Sequence, residues 1–101
     1  MAIRVTEQAE IEPYRLRISR SARQALGERL KEKVATAAYE FITVTLLENP
    51  RRMGKPLLLP PFVGTYSTRR GTYRVLYEID EKERVVLVTA VERRADAYRS
   101  R

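Results

Sequence analysis

Four of the five prolines fall within residues 49–61, and the spacing of the apolar residues changes across them. Before this stretch the apolar residues recur at helical intervals. After it they alternate with the period of a strand. A proline ring removes a backbone donor and is excluded from helix and sheet interiors alike. Asn49-Pro50-Arg51-Arg52-Met53-Gly54-Lys55-Pro56-Leu57-Leu58-Leu59-Pro60-Pro61 therefore reads as an irregular connection that separates a helical half from a sheet half.

In the helical half, Ser19 or Ser21 can cap a first helix. Ala22, Ala25, Leu26 and Leu30 share one side of it. A second helix is expected over residues 34–48. Val34, Ala38, Phe41, Ile42 and Thr45 make its main apolar face, widened by Val44, Leu46 and Leu47, and Asn49-Pro50 stops it. Ahead of both, Tyr14-Arg15-Leu16-Arg17-Ile18 alternates apolar and basic residues, the pattern of a half-buried strand, and Pro13 suits its start.

Beyond the connector, strands are expected over residues 63–69, 72–79 and 84–92. A tight turn at Arg70-Gly71 and a polar turn at 80–83 join them. Tyr73, Val75, Tyr77 and Ile79 share one face of the middle strand. Tyr73, Tyr77 and Phe62 are read as core rather than as base-stacking aromatics. Val85-Val86-Leu87-Val88 is apolar on both faces, as in a central strand. Leu57-Leu58-Leu59 reads as core or as a patch that a partner covers. A strand, a helical hairpin and then a three-stranded antiparallel meander predict an α+β fold, with the helices on one face of a single twisted sheet. The length of 101 residues suits one domain, taken as residues 13–101 behind a polar N-terminal arm at 1–12.

Composition narrows the chemistry. There is no cysteine and no histidine, so disulfides and thiolate metal sites are excluded, as is imidazole acid–base catalysis. Catalysis by side chains would fall to Arg, Lys, Tyr, Glu, Asp, Ser or Thr. The net charge is +7, from 20 Lys+Arg against 13 Asp+Glu. Residues 1–12 hold Arg4 against Glu7, Glu10 and Glu12, a charge of −2, which leaves +9 on residues 13–101. Arginine outnumbers lysine 16 to 4. Guanidinium forks match phosphate oxygens, and an arginine-rich domain without an acidic block points to a polyanionic partner. No apolar run has the length of a membrane span or the form of a signal peptide, so a cytoplasmic protein without membrane contact is expected.

Three segments carry a resemblance. The connector from Asn49 to Leu57, the hairpin Tyr66-Ser67-Thr68-Arg69-Arg70-Gly71-Thr72-Tyr73-Arg74-Val75-Leu76-Tyr77-Glu78-Ile79-Asp80, and the C-terminal Val91-Glu92-Arg93-Arg94-Ala95-Asp96-Ala97-Tyr98-Arg99 are similar to the corresponding segments of RelE/ParE toxins. They follow in the same order, over residues 13–99. The resemblance implies the compact fold of that superfamily and a toxin of a type II toxin–antitoxin system, neutralised by a cognate antitoxin. Operator DNA would be bound only through the toxin–antitoxin complex. RelE-like members cut mRNA on the ribosome without a metal or cofactor, and that activity is expected here. ParE-like members bind DNA gyrase instead. A third alternative is a toxin that binds antitoxin but has lost activity.

The resemblance also assigns residues. Arg74 would contact the scissile phosphate. Arg94, or alternatively Arg93, would stabilise the leaving group. Tyr98 would stack on a base or assist proton transfer, with Ala95 as an extra residue before it. By their charge rather than by the resemblance, Arg69, Arg51, Arg52 and Lys55 are expected to hold RNA phosphates, together with Ser67 and Arg93, Arg69 alternatively only flanking the turn. RelE-type ribonucleases carry two lysines where Thr65 and Ser67 stand here. The general base is therefore open between Glu92 and Glu78.

Overall fold

The computed structural model describes residues 14–93. The expected arm at 1–12, and Arg94 and Tyr98, lie outside the described residues. The architecture is α+β, with a five-stranded sheet in the order β1-β5-β4-β3-β2. Strand β1 is Arg15–Ile18, β2 is Lys55–Pro56, β3 is Thr65–Arg70, β4 is Tyr73–Asp80 and β5 is Val85–Arg93. The expected meander is β3-β4-β5, antiparallel throughout. Two additions frame it. Strand β1 runs parallel to β5, with Leu16 opposite Val86 and Ile18 opposite Val88. At the other edge, β2 pairs antiparallel with β3, with Lys55 opposite Ser67 and Pro56 opposite Tyr66.

The connector is more ordered than its prolines predict. Pro50 begins a single helical turn, α3 (Pro50–Met53), at the position where a missing donor costs nothing. Arg52 N and Met53 N both donate to Asn49 O. Gly54 then passes close to β3. A Cβ there would lie 2.5 Å from Tyr77 Oη and 2.8 Å from Ser67 O, so this crossing requires glycine for space.

Helix α1 (Arg20–Gln24) is capped by Ser19, whose Oγ accepts from Ala22 N at 3.1 Å. The same hydroxyl donates to Thr89 O at 3.0 Å, which ties the start of the helix to β5. The helix continues as a wide π-turn over Ala25–Arg29, closed by Leu30 N donating to Ala25 O. Helix α2 (Glu32–Glu40) also widens into a π-helical stretch, Phe41–Leu46. Ile42, Thr43, Val44 and Thr45 are all β-branched there and crowd the preceding turn. Thr43 Oγ1 donates to Tyr39 O at 2.9 Å. Phe41, Ile42 and Leu46 are buried, whereas Val44 is 59% exposed. Val44 is therefore not part of the apolar face it was expected to widen: at 3.6 residues per turn it lies about 200° around the helix from Ile42.

The core lies between these helices and one face of the sheet. Tyr77, Ile42, Leu46, Val75, Val86 and Val88 are its largest fully buried apolar side chains. Tyr73 and Tyr77 are core, as expected. Tyr73 Oη donates to Ala37 O, and Tyr77 Oη donates to Pro50 O at 2.6 Å. Phe62 instead is 49% exposed, beside exposed Leu58, Leu59 and Val63 in the segment between β2 and β3. Among the described residues, these four side chains are neither in the core nor packed against it.

The β4–β5 ladder carries a bulge. Asp80 through Tyr77 pair with Val85 through Val88; after the shift, Leu76 through Tyr73 pair with Ala90 through Arg93. Thr89 is the extra residue, and its Oγ1 donates to Leu76 O. The shift keeps Val91 on the core face and turns Glu92 to the face without helices.

Candidate functional site

Tyr73 points at α2, so its neighbour Arg74 points to the helix-free face. On that face, register places Arg69 of β3 opposite Arg74, and Glu92 of β5 on Arg74's other side. The row Arg69–Arg74–Glu92 thus crosses three strands. Arg74 Nη2 donates to Glu92 Oε1 at 2.6 Å, and the two side chains are 34% and 41% exposed. Arg74 Nε is buried and has no hydrogen-bond partner among the described residues.

Beside this row lies an open cleft of about 530 Å³, between α3, β2 and the β3–β4 hairpin. Arg52, Lys55, Arg69, Arg70 and Arg74 line it, with Ser67 between Lys55 and Arg69. The floor includes Gly54, Met53 and Leu57. The close approach of Gly54 to Ser67 O holds the connector's cations against the sheet. Cations from four elements, α3, β2, β3 and β4, so line one concavity, a geometry suited to a chain of phosphates.

Of the residues singled out by sequence, Arg74, Arg69, Ser67, Lys55 and Arg52 meet in this cleft. Glu92 joins through its ion pair with Arg74. Arg51 does not line the cleft. Its Nε donates to Glu81 Oε2 at 2.6 Å and its Nη1 to Tyr66 Oη at 2.9 Å. Arg93 lies opposite Tyr73, on the parity of Val91, and is absent from the lining. Thr65 is buried, whereas Ser67 reaches the cleft. Arg70 lines the cleft although sequence reading gave it only a turn. Its guanidinium also sits 4.4 Å over the Phe41 ring. The signal was present in the doubled arginine before Gly71, whose φ of +62° makes the turn.

Arg51 belongs to a separate clasp. Glu81, in the β4–β5 turn, accepts from both Arg51 and Tyr14 Oη, the latter at 2.6 Å. Tyr66 stacks on Tyr77 at 5.6 Å between centroids. The Tyr14 hydrogen bond, then the Arg51 one, hold the Glu81 carboxyl below its ordinary value of 4.5. The bond to Glu81 in turn raises the Tyr14 phenol. A depressed carboxyl stabilises the fold above its unfolded pKa, and that contribution is lost as pH falls through the depressed value. Glu81→Gln should therefore lower the Tm at neutral pH. The difference from the parent should shrink as melts are repeated at pH values below 4.5. A difference that grows on acidification would contradict this role.

The architecture matches known proteins. A family model described as the ParE toxin of the type II toxin–antitoxin system parDE matches residues 3–98. The toxin RelG of Mycobacterium tuberculosis is 42% identical over 87 residues, covering 86% of this chain and 98% of RelG. The toxin RelE of the same organism is 44% identical over 87 residues, covering 86% of this chain and 88% of RelE. Among solved structures, the toxin–antitoxin complex RelBE2 from M. tuberculosis gives a TM-score of 0.77 at 40% identity, covering 82% of this chain and 100% of the matched chain. The isolated E. coli RelE toxin gives 0.65 at 24% identity, over 84% of this chain and 90% of that one, a likeness of fold. The helical pair on a five-stranded sheet is thus the RelE/ParE toxin fold. The chain belongs to the RelE/ParE superfamily of type II toxin–antitoxin toxins. Among the described residues, no helix is long and apolar enough to cross a membrane.

Proposed function

We propose that this toxin is a ribosome-dependent mRNA endonuclease. The observation that carries the reading is the cleft between α3, β2 and the β3–β4 hairpin, which Arg52, Lys55, Arg69, Arg70 and Arg74 line together. Relatives at 42% and 44% identity named RelG and RelE support it. Metal-free RNA cleavage uses the substrate's 2′-hydroxyl. Its oxygen loses a proton and bonds to the adjacent phosphorus, the bond from phosphorus to the 5′-oxygen breaks, and that oxygen gains a proton. The products are a cyclic phosphate and a 5′-hydroxyl end.

Positioning and charge stabilisation supply most of such a rate enhancement. Arg74 bears on the negative charge that builds on the phosphoryl oxygens. Arg69, Arg52, Lys55 and Ser67 hold flanking phosphates. Arg94 and Tyr98, which follow β5 in sequence, take leaving-group stabilisation and base stacking or proton transfer. The partner that keeps the toxin inactive is a cognate antitoxin, the kind of partner present in the RelBE2 toxin–antitoxin complex. The site of action is the cytoplasm.

A second reading, gyrase binding, is favoured by the ParE description of the matching family. Expression without antitoxin separates the two. The endonuclease reading predicts growth arrest with new 5′-hydroxyl ends inside translated frames. Arrest with intact transcripts and a DNA-damage response would replace it with the gyrase reading.

A further inference from the structure

The carboxylate of Glu92 accepts a hydrogen bond from Arg74, the arginine of the β4 strand that lines the cationic cleft. We propose that Glu92 is an internal competitor for RNA: it occupies Arg74 in the resting toxin and is displaced when the cleft takes a phosphate chain. The proposal rests on the reading of the cleft as an RNA site.

The competitor is built by the fold. Without the Thr89 bulge, Val91 would oppose Arg74 and no carboxylate would reach it. With the bulge, Glu92 lies directly across the ladder and closes to 2.6 Å. Glu92 engages only one edge of the guanidinium, because Arg74 Nε has no acceptor among the described residues. Carboxylate and phosphate present similar oxygens to this fork, so each can replace the other.

Both side chains are more than one-third exposed, and such a pair exchanges at little cost. Glu92 also has a resting task. Arg69 and Arg74 face each other across β3 and β4, and like charges so placed repel. Glu92 offsets that repulsion until phosphate arrives. A lone anion meets an intramolecular rival at high effective concentration. A phosphate chain that also engages Arg52, Lys55 and Arg70 overcomes it. Glu92 thereby sets a threshold that favours extended RNA over isolated phosphate.

The test is a double-mutant cycle, read as the affinity of the full chain for a short fluorescein-labelled single-stranded RNA at fixed low salt. Glu92→Gln should tighten binding about fivefold, the order expected from freeing a half-exposed ion pair. In an Arg74→Gln background the same change should gain less than about twofold, because the competition acts through Arg74. Glu28→Gln, which removes the same charge from an exposed helical position, should also change binding less than about twofold. An equal gain in both backgrounds would reduce Glu92 to general electrostatics and overturn the proposal. So would an unchanged or weakened affinity in Glu92→Gln. If the parent and Arg74→Gln bind RNA equally, the RNA reading of the cleft itself fails, and the competitor falls with it.

Discussion

Cells expressing the Arg74→Ala toxin without antitoxin should grow, while cells expressing the parent arrest. Arg74 is placed by β4 between Arg69 and Glu92, and it is one of the residues that line the cationic cleft. Removing one preorganised group that stabilises a transition-state charge costs about 10²–10³ in rate. The fold should survive, because Arg74 lies on the helix-free face and contributes nothing to the core formed by Val75 and Tyr77. Truncation also removes the like-charge opposition to Arg69, so melting should shift little. The check is growth after induction, together with the circular dichroism and Tm of the purified variant. A folded Arg74→Ala protein that arrests cells as fast as the parent would sink its assignment.

The largest loss of stability should follow Tyr77→Ala. Tyr77 is fully buried, stacks on Tyr66 and donates to Pro50 O, so it joins β4, β3 and α3. Emptying a site of this size costs about 3–5 kcal/mol. Whole domains are stable by only about 5–15 kcal/mol. Much of the Tyr77→Ala population should therefore be unfolded at growth temperature, and toxicity should fall with it. Tyr77→Phe separates the ring from the hydroxyl. It keeps the stack but leaves Pro50 O without its 2.6 Å donor, at a cost of about 1–3 kcal/mol. Denaturant unfolding of both variants gives the two numbers. Equal losses would mean that the hydrogen bond, and not the packing, holds α3 to the sheet.

These two residues show what the sequence made legible. The alternation around Tyr73, Val75 and Tyr77 declares a half-buried strand, and it places Arg74 on the opposite face before any coordinates. The cluster of prolines marks where helices end and the sheet begins. Local pattern alone carries such information, because periods of 3.6 and 2 belong to one element at a time.

Pairings between distant segments were not legible. Nothing in Arg15 to Ile18 says that it will run parallel to Val85 to Val88. The bulge at Thr89 depends on the whole β4–β5 ladder, and with it the contact between Arg74 and Glu92. Arg51 looks like Arg52 in sequence. Yet Glu81, thirty residues on, takes Arg51 into a clasp, while Arg52 lines the cleft. The π-helical stretch over Phe41–Leu46 likewise has no mark in the apolar spacing.

The most direct measurement is cleavage of a defined mRNA on purified ribosomes stalled with an open decoding site, with the full-length toxin added alone. The account predicts cuts within the exposed codon, leaving 5′-hydroxyl ends, in the absence of divalent-metal cofactor for the toxin and only when the message is held by the ribosome. Intact message at every toxin concentration, from a preparation that still arrests cells and binds its antitoxin, would contradict it.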